Sequence, residues 1–254
     1  MKTLLPVQML WVGGALSNLE KLSITSFLAN GHDVHLYSYD LHGDMPTGTT
    51  LIDAAEIMDP VERFAMNTNV GYGSVTPFSN RFRYKLLHER GGVWCDTDVV
   101  LLKPLSFLEE QEYWFCSEYG MEKDEGNKLT TRTKIASCFL KVPKGSVVMQ
   151  DCFERAMSTD LTTAEWAATG PQLLDNVVSR HGLEKSVLQP NAICPLPFWE
   201  TAKLLSGMYT LPSDSYAIHF YNEMFRRNFF DKNAAYPDFC IYERLKSHYF
   251  AKEH

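Results

Sequence analysis

Residues 79–102 read SNRFRYKLLHERGGVWCDTDVVLL. Phe82, Leu86 and Leu87 recur at helical spacing among Arg81, Arg83, Lys85, Glu89 and Arg90, so the first half is a helix. Gly91 and Gly92 stop it, because glycine accepts the backbone conformation a helix C-terminus demands. Val93 to Cys95 suits a short buried strand, and Val99 to Leu102 is apolar again. Asp96 and Asp98 interrupt this apolar run two residues apart, and alternate residues of an extended segment point the same way. Two like charges in apolar surroundings are costly unless something positive lies between them. Carboxylate oxygens suit Mg²⁺ or Mn²⁺, ions that keep water or phosphate in their remaining positions, so a diphosphate is the natural ligand. A bare D-x-D also marks solvated turns. Here the pair follows two glycines and an arginine-rich helix inside apolar sequence.

Upstream, Val7 to Val12 is an apolar run ending at Gly13 and Gly14. Ser17 and Glu20 form a capping box for a helix over about 18–30, and Val34 to Tyr39 alternates as a strand. Strand, helix and strand in about forty residues make a βαβ unit, hence a parallel sheet with ligands at the carboxyl ends of its strands. That edge gathers Trp11, Val12, Gly13, Tyr39, Asp40, Asp96 and Asp98.

Further along, 50–57 suits a third strand, Asp59-Pro60 starts a short helix to about Met66, and 67–78 reads as a glycine-bearing flap. Tyr113 to Glu118 reads as a strand, 120–133 as an exposed polar loop, and Ile135 to Val142 as another strand. A helix follows over 146–157. Pro171 opens a helix after Thr169-Gly170, and Ser215 to Tyr221 reads as a late strand carrying His219. Phe225 to Phe230 mixes aromatics with Arg226 and Arg227, which suits phosphate, an acceptor or a membrane surface, or a solvated arginine pair beside core aromatics.

Composition narrows the classes. The 254 residues, 45% hydrophobic, suit one large α/β domain or two small ones. With a formal net charge of -7 and no Lys/Arg-rich run, nucleic acid is not an expected partner. No apolar run is long enough to span a bilayer, and Pro6 breaks the start too early for a signal peptide. Six scattered cysteines without a C-x-x-C read as buried free thiols, which fits a cytoplasmic and bacterial protein.

Arg83, Tyr84, Leu87, Gly91, Gly92, Val93, Trp94, Asp96 and Asp98 together resemble the sugar-nucleotide site of DXD glycosyltransferases. More narrowly they resemble glycosyltransferase family 32 and, more distantly, the clostridial glucosylating toxins. The resemblance implies a GT-A fold, α/β with a mixed and mostly parallel sheet flanked by helices. It implies a single domain over 1–254, with a nucleotide-binding half to about 105 and a metal-completing half beyond. The implied reaction is retaining transfer from a UDP-sugar to a glycan or lipid-linked saccharide acceptor, as in polysaccharide biosynthesis, with Mn²⁺ or Mg²⁺ on the diphosphate. Peripheral membrane contact is compatible with such an acceptor.

By the same resemblance Trp11, Val12 and Gly13 contact the uracil ring. Asn80 replaces the family's aspartate near the ribose, which it can hydrogen-bond without supplying charge. Gly170 and Pro171 lie beside the donor sugar, and Gln172 supports the anomeric centre from its face. Arg83 orients the aspartates or binds the donor, and His219 completes the metal site with Asp96 and Asp98. No carboxylate nucleophile stands out. Two other readings stay open: a haloacid-dehalogenase-type phosphatase with Asp96 as nucleophile, and a sugar-nucleotide-binding protein without activity. Against the phosphatase, the motif lies far inside the chain and no later metal-binding segment of that family is found.

Overall fold

A computed structural model describes residues 4–62, 73–124, 126–163 and 168–251. The expected βαβ unit forms from β1 (Val7–Trp11), α1 (Asn18–Ala29) and β2 (Val34–Ser38), followed by β3 (Thr49–Asp53). Ser17 caps α1, accepting from Leu19 N, and Glu20 closes the capping box. Helix α2 (Thr76–Arg90) leads into β4 (Gly92–Cys95), then β5 (Val99–Leu101), β6 (Trp114–Lys123) and β7 (Leu129–Val142). Helices α3 (Val147–Ser158), α4 (Pro171–Arg180), α5 (Pro190–Ile193) and α6 (Lys203–Ser206) precede β8 (Ala217–His219), α7 (Asn222–Arg227) and α8 (Ile241–Phe250).

Six strands form a mixed sheet in the order β3-β2-β1-β4-β7-β6. The first three neighbouring pairs are parallel, and β7 runs antiparallel to both β4 and β6. Alternation along β1 divides the core. Leu10 joins Phe82, Trp94, Met149 and Val177, from β4 and helices α2, α3 and α4, on one face, while Val7 and Met9 join Ile24 and Phe27 of α1 on the other. A third cluster packs α8, Phe220 and Phe225 against Leu19, Leu22 and Val100.

Five expectations need correction or limits. Asp96 and Asp98 do not lie on one continuous strand. The chain leaves the large sheet after Cys95 and turns through Asp96-Thr97-Asp98, with Val99 N donating to Asp96 O at 3.2 Å. It then pairs as β5 with β8 in a separate two-stranded sheet. Residues 120–123 and 129–133, expected in a loop, are strand instead: they form the outer half of a β6–β7 hairpin running from Lys123↔Leu129 inward. Both faces of that ribbon meet solvent, so no apolar alternation marks it, and an Arg132–Glu122 ion pair at 3.1 Å spans it. The third strand stops at Asp53, whose carboxylate caps a short turn through Ala55 N at 2.9 Å. Helix α2 starts at Thr76, so 76–78 belong to it. Of the proposed helix from Asp59, only a turn over Pro60–Glu62 is described, and 63–72 lie outside the described residues.

Candidate active site

The register of the small sheet builds the site. Val99 faces His219, so the residue before Val99, Asp98, stands beside the imidazole at the strand end. Ser23 and Ser26 of α1 fix β5 from behind, with Ser23 Oγ donating to Val99 O at 2.6 Å and Leu101 N donating to Ser26 Oγ at 2.8 Å. Phe220 N donates to Asp98 O at 2.9 Å, and Asn222 N donates to Asp98 Oδ2 at 2.5 Å. The other oxygen, Oδ1, faces His219 Nε2 at 3.3 Å as an ion pair, without a well-aligned hydrogen bond among the described residues.

Asp96 is held from the large sheet. Trp94 Nε1 donates to its Oδ1 at 2.8 Å, and Arg83 Nη1 lies 3.2 Å from the same oxygen. The Arg83 guanidinium sits over the Trp94 ring, 4.9 Å from its centroid, and donates to Ser137 O and Ser79 Oγ. Arginine therefore orients this carboxylate without enclosing it: the Asp96 side chain keeps 26% exposure, against 8% for Asp98. One ligand atom each from Asp96, Asp98 and His219 lies within 4.8 Å of the others. Two hard oxygens and an imidazole, one oxygen lacking a hydrogen bond, fit a divalent cation of the Mn²⁺ or Mg²⁺ class.

Burial pushes the Asp96 carboxyl up, opposed by Arg83 and reinforced by Asp98. At Asp98 burial also pushes upward, but the charge of His219 and the Asn222 amide outweigh it and leave the carboxyl below its usual range. Burial would lower His219, yet the facing Asp98 charge, with Asp96 and Glu118 beyond, raises it from 6.5 to about 9. The sign follows. The raised imidazole contributes stability in full below about pH 6.5, and that contribution is lost as pH climbs to about 9. The protein is therefore expected to melt progressively lower over that interval, and a divalent cation at this imidazole would have to displace its proton. Melting curves of wild type and His219→Gln against pH check this, and parallel curves would count against it.

The cleft around these groups holds about 440 Å³. Trp11, Val12, Arg83, Asp96, Asp98, Pro171 and His219 all line it. Gly13, Tyr39, Asn80, Gly170 and Gln172 do not. Tyr39 donates to Met58 O at 2.7 Å and packs on Phe78. Asn80 is buried beneath Gly170, donating to Thr169 Oγ1 at 3.3 Å. Gln172 is exposed on α4, and Gly13, with φ 137°, turns the chain against the Trp11 indole. The sequence reading passed over Glu118 and Lys134, an ion pair at 3.3 Å lining the same cleft, and Phe198 and Tyr221 beside it. Glu118 closes the apolar run from Tyr113, and a buried carboxylate at the end of such a run was the available signal.

Residues 33–115 match the family model described as "Glycosyltransferase sugar-binding region containing DXD motif". Asp96-Thr97-Asp98 falls inside the matched segment. Among solved structures, the chain is similar to PaToxG glycosyltransferase, at 13% identity and a TM-score of 0.48 over 72% of each chain. It is also similar to WbbM, a bifunctional glycosyltransferase, at 12% identity and a TM-score of 0.49. That alignment covers 98% of this chain and 52% of that one, so the chain spans about half of WbbM. A third similarity, to the catalytic domain of alpha-toxin from Clostridium novyi, has 9% identity and a TM-score of 0.31 over 71% of this chain and 64% of that one. A comparison with curated proteins finds no match. No helix among the described residues is long and apolar enough to cross a membrane.

Proposed function

We propose that the protein is a retaining glycosyltransferase of GT-A type that moves a sugar from a nucleotide sugar, a UDP-sugar, to a hydroxyl acceptor on a glycan or lipid-linked saccharide. The observation that carries this is the convergence of Asp96, Asp98 and His219 on one cleft, the two aspartates lying in the segment that matches the DXD sugar-binding model. These three would hold Mn²⁺ or Mg²⁺, and the bound cation supplies Lewis-acid neutralisation of charge growing on the leaving diphosphate. Two come from the nucleotide-binding half and His219 from the other, so the site draws on both.

The chain's own groups have distinct parts in this reading. Arg83 and Trp94 hold Asp96 in one orientation, and the Asn222 amide does the same for Asp98. Trp11 and Val12 border the cleft where the uracil ring would lie, and Pro171 borders the donor sugar. Phe198 and Tyr221 offer aromatic surface to a sugar ring, with the Glu118–Lys134 pair to hydrogen-bond hydroxyls. The acceptor attacks from the face the diphosphate leaves, as expected of retaining relatives.

A thermal-shift screen of UDP-Gal, UDP-GlcNAc, UDP-Glc and GDP-Man, each with Mn²⁺ or with EDTA, tests the reading. A ligand at about 100 times its Kd adds about 2.7 kcal/mol, which for a chain of this size is a shift of several degrees. One or more UDP-sugars should give that shift only with Mn²⁺. No shift with any nucleotide sugar, or the same shift in EDTA, would overturn it.

A further inference from the structure

Three cysteines far apart in sequence meet behind the cleft. Cys116 comes from β6, Cys138 from β7 and Cys194 from the end of α5. Cys116 Sγ lies 3.4 Å from Cys138 Sγ, which lies 3.5 Å from Cys194 Sγ, and all three sulfurs fall within 4.8 Å of one another. All three side chains are buried, and none is in a disulfide.

Buried cysteines ordinarily behave as small apolar side chains, each packed against its own neighbours. A disulfide would need two sulfurs and leave the third as a bystander. Here three elements each send a sulfur to one point. Thiolates sharing an ion at about 2.3 Å stand roughly 3.8 Å apart in tetrahedral geometry, inside the span found here. Three sulfur donors form a soft set, which selects zinc-class ions over Mn²⁺ or Mg²⁺. Cys138 also lines the cleft, which gives an ion a way in.

We propose that Cys116, Cys138 and Cys194 bind a thiophilic metal ion of the zinc class, as a second site separate from the Asp96–Asp98 pair. It would tie β6, β7 and the segment after α5 together directly behind the active site. The two sites adjoin through one ring: His219 Nδ1 lies 3.8 Å from Cys194 Sγ, while Nε2 faces Asp98. The soft site does not depend on the proposed transferase reading, and its test is arranged to keep the two apart.

The test uses the full chain. Protein made in zinc-supplemented medium is dialysed and its metal measured, and the apo-protein is titrated with Co²⁺ and read for a thiolate-to-cobalt charge-transfer band. About one zinc per chain and a charge-transfer band are expected. Both should persist in Asp98→Asn, which removes a cleft carboxylate, and disappear in Cys138→Ser and Cys116→Ala. Because the band is read on wild type, the proposal stays testable if a cysteine variant fails to fold. Absence of zinc and of the band, a band surviving Cys138→Ser, or loss of the band in Asp98→Asn would overturn it. So would four rather than six free thiols in denatured protein, which would mean a disulfide among the six cysteines.

Discussion

Asp98→Asn should fold and lose catalysis. Asparagine keeps the shape of the side chain and can still accept from the Asn222 amide, which lies 2.5 Å from Asp98 Oδ2. What it loses is the charge facing His219 and a hard, anionic oxygen for a cation. Removing one preorganised electrostatic group aimed at developing charge costs about 10²–10³ in turnover, about 3–4 kcal/mol of barrier. Donor turnover, with or without an acceptor, should fall by at least that range, and added Mn²⁺ should not restore it. Asp98→Ala should be equally inactive and also less stable by about 1 kcal/mol, because the partly buried Asn222 amide loses its acceptor. Retained turnover with unchanged metal dependence in Asp98→Asn would remove this residue from the mechanism.

Gly91→Ala should be the most destabilising small substitution at the helix–strand corner. Gly91 has φ 67° and ψ -161°, a region only glycine occupies without strain. A β-carbon there would lie 2.4 Å from Lys144 N and 2.9 Å from the Pro143 carbonyl carbon, backbone atoms with no rotamer to escape into. The carbonyl of Gly91 also accepts from the buried Gln8 Nε2 at 2.8 Å, so a shift of the corner breaks a contact to β1. Strain and displacement together should cost about 3–5 kcal/mol, a large share of an ordinary stability of about 5–15 kcal/mol. Gly145→Ala is the control, since its φ is 77° but nothing lies within 4 Å of the added carbon. It should cost about 1–2 kcal/mol. Urea unfolding compares them, and equal midpoints would refute the steric argument.

The same corner explains what could be read without coordinates. Helical spacing from Phe82 to Leu87, two glycines and the apolar Val93-Trp94-Cys95 run are local signals, and they become α2, Gly91 and β4. The capping box at Ser17 and the alternation of Val34 to Ser38 are local too. The change of sheet at Asp96-Thr97-Asp98 was hidden, because both flanking runs are equally apolar and periodicity carries no record of which neighbour a strand pairs with. The outer hairpin was hidden for the opposite reason, since neither of its faces is buried. In the site, the Asp96 and Asp98 pair was legible from type and spacing, Arg83 and His219 entered through the family resemblance, and Tyr39 and Asn80 were placed by strand-edge position and resemblance. Their side chains instead satisfy Met58 O and Thr169 Oγ1. The cysteine cluster could not have been found: its members are 22 and 56 residues apart along the chain.

The most direct measurement is anomalous diffraction from crystals soaked with Mn²⁺ and UDP. A single manganese peak should stand among Asp96, Asp98 and His219, with the diphosphate on its open side and Arg83 still against Asp96. A manganese peak elsewhere, or UDP bound with no metal near Asp98, would contradict the account.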